Sequence, residues 1–297
     1  MDDPRKYLQP ETIAQIAGLE LRARFIVEGF IAGLHKSPFH GFSVEFAEYR
    51  QYMPGDPIKN IDWKVYGKTD RYYIKEFEEE TNLKAHLLLD ISTSMNYGSG
   101  KVTKLSYAMD LAAAFTYLMI KQQDAVGLLT FGSTTRSYLP PRAKPSHMND
   151  IFRTLAQVVP EEQTNISAVL HELAERIKRR GLIVLFSDLY DEPEMVLKAL
   201  RHFRHRQHEV LVFHILDHQE HVFDIHKETI FVDLETGKKV MAQPWQIKKD
   251  YLEQMETFKK RYEAECRNSL IDYIAVDTKT PFDVALTTYL AKRAKLY

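Results

Sequence analysis

Cysteine is nearly missing from this sequence: of 297 residues only Cys266 is one. A lone cysteine excludes an internal disulfide and suits a reducing compartment. It lies in the charged stretch YEAECRNS, where a buried, incidental thiol is expected rather than a nucleophile. Long apolar runs are missing too. None approaches the roughly 20 residues of a membrane helix, and MDDPRKYLQPET carries no basic segment leading into an apolar core. No membrane span and no signal peptide are expected, and the default setting is cytoplasmic. An excess of either charge is also absent. Lys plus Arg number 40 against 41 Asp plus Glu, so nothing global draws the chain to nucleic acid or an anionic surface. Neither G-x-S-x-G nor H-E-x-x-H occurs, and there are no repeats or low-complexity tracts.

What remains is the composition of an ordinary globular protein, 44% hydrophobic and 27% charged, long enough for one large domain or two modest ones. From Lys84 onward, short apolar runs alternate with amphipathic segments. AHLLLD (85–90), AVGLLTF (125–131), LIVLFSD (182–188), VLVFHIL (210–216) and IDYIAVD (271–277) read as strands buried on both faces. Leu105, Ala108, Met109, Ala112, Phe115 and Met119 make one helical stripe, and Ile166, Val169, Leu170, Leu173 and Ile177 a second. Met195, Leu197 and Leu200 begin a third, and Val284 to Leu290 lie in a last helix. AVGLLTFGSTTRSYL predicts a hairpin at GSTT, adding one antiparallel edge strand. The segment 217–245, with DLETGKK, predicts another hairpin excursion. The fold class is therefore α/β, a doubly wound, mostly parallel, Rossmann-type sheet over 84–297. Residues 1–83 read as a small extension: one long helix from Pro10, then an aromatic-rich strand-and-loop segment.

The stretch LLLDISTSMNYGSGK (87–101) holds two competing signals. GSGK resembles a phosphate loop, but such a loop needs Gly five residues before Gly100 and Ser or Thr after Lys101. Met95 and Val102 stand there, so a turn ahead of a helix is the better reading. The other signal is D-x-S-x-S: Asp90 closes the first strand and Ser92 and Ser94 follow in the turn, at the sheet edge where open α/β sheets bind ligands. Asp188 closes another strand, and Thr164 precedes a helix in EEQTNIS. Singly, each of these suits a helix cap. Together they are two carboxylates and three hydroxyls, hard oxygen donors that suit Mg²⁺ or Mn²⁺ and not Zn²⁺. With so many neutral donors the ion keeps positive charge and an open position, for which a partner's Asp or Glu is the natural ligand.

Catalysis is the rival class, as a metal-dependent phosphoester hydrolase. No His or Lys is placed by the sequence near 90–94, 164 or 188 to serve as base or phosphate clamp, so no enzymatic activity is expected. In RHFRHRQHE, His202, His205 and His208 read as one row on a solvated helix C-terminus rather than a metal or nucleic-acid patch.

Asp90, Ser92, Ser94, Thr164 and Asp188 match, in order, the metal-ion-dependent adhesion site of von Willebrand factor A-like domains. Upstream, GFSVEFAEYRQYMPGDPIKNIDWKVYGKTDRYYIKEFEEE resembles the signature that precedes this domain in the bacterial domain of unknown function 58 family, approximately G-x-x-x-E-F-x-x-x-R-x-Y-x-x-G-D-x-x-R-x-I-D-W followed by Ala-Arg. Lys59 stands where the family has Arg, and Gly67-Lys68 where it has Ala-Arg; lysine keeps the charge but loses the bidentate fork. Asp56, Asp62 and Trp63 are read as a turn residue, a cap and a packing aromatic. The resemblance implies a MoxR-type AAA+ ATPase as partner and a role as its adaptor or co-chaperone.

Overall fold

Pro10 opens a short helix that ends at Ile13. The single long helix expected here is two: α1 (Pro10–Ile13) and α2 (Leu19–Leu34), parted by a turn in which Gly18 has φ +87°. That left-handed backbone costs glycine little and other residues more; the helical periodicity simply reads across it. The computed structural model describes residues 9–34, 49–51, 66–67, 72–75, 83–161, 165–234 and 237–293. Leu19, Ala23, Ile26, Val27 and Phe30 form the buried stripe of α2, which packs on α3 (Lys104–Lys121). Arg22 Nε donates to Asp110 Oδ1 at 2.6 Å across that contact. A boundary at residue 83 places this helix in an N-terminal extension, whereas its contacts are with α3: Met1–Lys36 and Leu83–Tyr297 form one compact unit, Ser37–Asn82 a second. In the second unit, β1 (Tyr49–Gln51) pairs antiparallel with β2 (Tyr73–Lys75), and Tyr66 stacks on Tyr72 at 4.4 Å.

Beyond Leu83 the order is β3 (Lys84–Asp90), α3, β4 (Ala125–Phe131), β5 (Thr135–Arg142), α4 (Pro145–Ala156), α5 (Ile166–Arg176), β6 (Leu182–Ser187), α6 (Pro193–His205) and β7 (Glu209–Leu216). Then come α7 (His218–Val222), β8 (Thr229–Val232), β9 (Lys239–Ala242), α8 (Pro244–Asn268), β10 (Asp272–Asp277) and α9 (Phe282–Arg293). The main sheet runs β10-β7-β6-β3-β4-β5, parallel throughout except β5. The five apolar runs are its parallel strands, GSTT is the β4–β5 turn, and β8–β9 is the second hairpin. The chain winds from β3 to β4 on one side, then returns to β6 on the other. The switch point, where ligands bind in such sheets, is thus the crevice at the carboxyl ends of β3 and β6.

Alternation along the strands builds two cores. On one face Phe186 stacks on Phe213 at 5.4 Å, and Phe115 of α3 meets Phe213 edge-on at 5.5 Å. On the other, Leu88, Ile183, Leu185, Val210 and Val212 pack with Val169, Leu173, Leu200 and Phe203 of α5 and α6 and with Tyr262 and Cys266 of α8. Each large side chain so buried contributes about 1.5–3 kcal/mol. Helix α3 is buried almost all round because it has the sheet on one side and α2 on the other. On α6 the stripe is Val196, Leu197, Leu200 and Phe203, while Met195 is exposed; one residue's rotation separates this from the expected face. His208 is not on that helix at all: Gln207, at φ 65°, turns the chain, and His208 is buried with Nε2 at 3.1 Å from Ile177 O. Burial pushes the Cys266 thiol up to about 12, an inert state. No helix among the described residues is long and apolar enough to cross a membrane.

One buried base makes stability depend on pH. Burial, then the charges of His208 and Lys84, push His86 from 6.5 down to about 4. The folded chain therefore binds fewer protons there than the unfolded chain does. The contribution of neutral His86 is complete above pH 6.5 and is lost as pH falls toward 4, by up to ~1.4 kcal/mol per pH unit. Urea unfolding across that window should show the decline, and His86→Leu should lessen it, leaving the share of His214, which burial also pushes down to about 4; an equal slope in the variant would assign the acid limb to other groups.

Candidate functional site

Asp90 is the last residue of β3 and fully buried. Its Oδ1 accepts the Ser92 N–H at 2.9 Å, which folds the chain into the turn of residues 93–96. Its Oδ2 accepts from Ser187 Oγ at 2.6 Å. Ser187, at the end of β6, also accepts the Leu189 N–H at 2.9 Å, and so fastens the two strand ends together. Ser92 Oγ and Ser94 Oγ stand 3.0 Å apart. Thr93 Oγ1 donates to Glu161 O at 2.6 Å, and Glu161 N–H to Ile91 O at 2.8 Å, pinning the loop after α4 beside the D-x-S-x-S turn. Asp188 follows β6 into the same crevice, where Leu189 takes the left-handed φ of 58°, a conformation uncommon for a branched side chain.

Burial pushes the Asp90 carboxyl up to about 7, and the charge of Asp188 adds to this against the hydrogen bonds from Ser187 and Ser92. So the structure brings Asp90, Ser92, Ser94 and Asp188 together. Thr164 lies outside the described residues, as do Asp56, Lys59, Asp62, Trp63 and Lys68.

The site also contains a lysine that the sequence reading missed. Lys104, the first residue of α3, is buried; its Nζ donates to Asp188 Oδ2 at 2.8 Å and to Glu220 Oε1 at 2.8 Å. Its ammonium lies 4.8 Å from the Tyr190 ring centre and 5.8 Å from that of Tyr97. Burial would lower its proton affinity, but Asp188 and Glu220 outweigh burial and raise it. The expectation that no lysine attends these positions is therefore corrected. Sequence distance hid it: Lys104 is 84 residues from Asp188 and 116 from Glu220. The signal available was a lysine at the first position of a mostly apolar helix.

The GSGK loop has a structural role. Gly98 packs so closely that a Cβ there would meet Val102 O at 2.7 Å. The Ser99 N–H donates to Asp217 Oδ2 at 3.0 Å, and Thr103 with Ser106 forms the capping box of α3. These contacts tie the loop to the end of β7 and start the helix that carries Lys104.

The donors fit a hard divalent cation. All are oxygens, and octahedral Mg²⁺ at ~2.0–2.1 Å sets neighbouring ligands ~3 Å apart, the spacing of the two serine oxygens. Among the described residues no group of three or more His, Cys, Asp and Glu gathers as a metal site, so the fit rests on the serine hydroxyls as much as on the carboxylates.

The family model described as "Protein of unknown function DUF58" matches residues 48–261, more than half of the chain. Relatives include uncharacterized protein Mb1516 of Mycobacterium bovis and uncharacterized protein Rv1480 of Mycobacterium tuberculosis. Each is 27% identical over 231 residues, spanning 77% of this chain and 72% of the relative. Among solved structures, BatB from Bacteroides thetaiotaomicron is 14% identical with TM-score 0.47, over 72% of this chain and 99% of that one. The VWA domain of SpRpn10 is 11% identical with TM-score 0.41, over 69% and 94%. The strand order, with Asp90 and Asp188 at its switch point, is what carries the fold assignment. The chain belongs to the DUF58 family, and its sheet unit is a doubly wound, mostly parallel α/β fold.

Proposed function

We propose that this chain is a protein-interaction module, without chemistry of its own, whose site holds Mg²⁺ or Mn²⁺ and through it grips a carboxylate of a partner protein. Asp90, Ser92, Ser94 and Asp188, with Thr164, are the residues that hold the ion in this reading. When bound, the ion supplies a Lewis-acidic position that an outside carboxylate can fill. The observation that supports it most is the pair of serine hydroxyls at ligand spacing beside two buried carboxylates, at the switch point of the sheet. The partner that the family resemblance favours is a MoxR-type AAA+ ATPase, met in the cytoplasm, with this chain as its adaptor or co-chaperone.

Lys104 also bears on the hydrolase reading. A lysine engaged by two carboxylates has no free charge to clamp a phosphate, which favours binding over turnover.

Co-purification with the ATPase should require divalent metal, be lost with chelator, and be lost in Ser92→Ala/Ser94→Ala while the fold survives. Association that persists equally in chelator and in the double variant would refute the metal grip. With Mg²⁺ and a panel of phosphoesters and nucleotides the chain should give no turnover; turnover abolished in Asp90→Ala would put hydrolysis first.

A further inference from the structure

Asp90, Ser92, Ser94 and Asp188 offer oxygen donors to an ion without needing a lysine, yet Lys104 is buried among them. Its placement runs against two ordinary tendencies. A cation in the first turn of a helix meets the positive end of the dipole, and a buried ion pair is seldom more stable than an apolar replacement of similar volume. Its side chain is nevertheless 1% exposed, at 2.8 Å from each of Asp188 Oδ2 and Glu220 Oε1. Glu220 is fixed in turn, its Oε2 accepting the Asp217 N–H at 2.7 Å. Among the described residues the other oxygen of Asp188 accepts the 3.3 Å contact from the Tyr190 N–H, so Asp188 has one oxygen engaged by the ammonium and one with capacity for a ligand.

Charge arithmetic gives this arrangement a meaning. With Asp90, Asp188 and Glu220 ionised and Lys104 charged, the site carries −3 + 1 = −2. A divalent cation brings it to neutrality. Without the lysine the same ion leaves −1, and an incoming carboxylate is repelled. We propose that Lys104 tunes this site for anionic partners: it weakens binding of the bare metal and removes the residual negative charge that would turn a partner carboxylate away. Metal and carboxylate then bind as a coupled pair, and such coupling is reciprocal. This inference rests on the metal reading above and assigns Lys104 a positioning and selectivity role within it.

The test is calorimetric titration of the full chain with Mn²⁺, with and without acetate as the carboxylate probe. In the wild type, acetate should tighten Mn²⁺ binding. Lys104→Met and Lys104→Gln should bind Mn²⁺ alone at least about tenfold more tightly, since a unit charge within a few ångströms is removed, and should lose the acetate effect. Glu220→Gln, which keeps the lysine and removes one balancing charge, should bind Mn²⁺ more weakly; it tests the same balance if neither Lys104 variant folds. Wild-type binding that disappears in Asp90→Ala, combined with no tightening in the Lys104 variants or no acetate effect in the wild type, overturns the role of Lys104 and leaves the metal reading standing. No Mn²⁺ binding in any variant, or binding indifferent to Asp90→Ala, overturns both.

Discussion

Lys104→Ala should lower the unfolding free energy by ~3–5 kcal/mol, because it leaves the Asp188 and Glu220 carboxylates together in the interior without a cation. The cost is that of stranded charge and not mainly of lost packing. It should therefore largely vanish in Lys104→Met/Asp188→Asn/Glu220→Gln. Urea unfolding of the single and triple variants near neutral pH separates these contributions. If the triple variant is as unstable as Lys104→Ala, the lysine matters through the shape of its stem. A domain in the upper part of the ordinary range of ~5–15 kcal/mol tolerates the single loss, and one at the lower end does not.

Asp90→Asn should have the reverse character: function lost, stability kept. The carboxylate is fully buried beside Asp188, and burial holds its proton affinity up to about 7. Ionised in the absence of metal, it is a cost to the fold. Asparagine keeps an oxygen to accept the Ser92 N–H and removes the charge. In chelator, unfolding free energy should equal that of the wild type or exceed it by up to ~2 kcal/mol. In Mg²⁺ titrations the heat of binding should disappear, because the neutral amide is a poor ligand for a hard cation. A variant that is several kcal/mol less stable would mean that Asp90 is chiefly a structural cap for the turn at Ser92. Retained Mg²⁺ binding would move the site elsewhere.

The parallel strands were legible because each is a continuous apolar run bounded by turn residues, and both hairpins were legible from GSTT and DLETGKK. Asp90, Ser92 and Ser94 could be read together because local spacing carries them. Asp188 could be joined to them only through the rule that sites gather at strand ends. What the sequence concealed depended on tertiary distance. Ser187, next to a named residue, gave no sign that it would fasten two strands. Lys104 was hidden because its partners belong to elements far along the chain. Gly18 and Gln207 were hidden because a change of backbone handedness leaves no trace in hydrophobic period.

Those long separations have a kinetic consequence. Arg22 finds Asp110 across 88 residues, Lys104 finds Asp188 across 84 and Glu220 across 116, and Tyr107 Oη donates to Thr280 O across 173. Central strand β3 has β6 as a neighbour, a strand made only after β4 and β5 have been laid down on its other side. Loop-closure entropy must be met before such contacts yield any stabilisation, so a chain of this topology folds slowly for its size. During synthesis, α3 emerges with its apolar surface and its lysine well before Glu220 has left the ribosome. A nascent chain stopped between Asp188 and Glu220 would hold Lys104 with one of its two carboxylate partners, while β6 still lacks its neighbour β7, an open strand edge of the kind that favours aggregation.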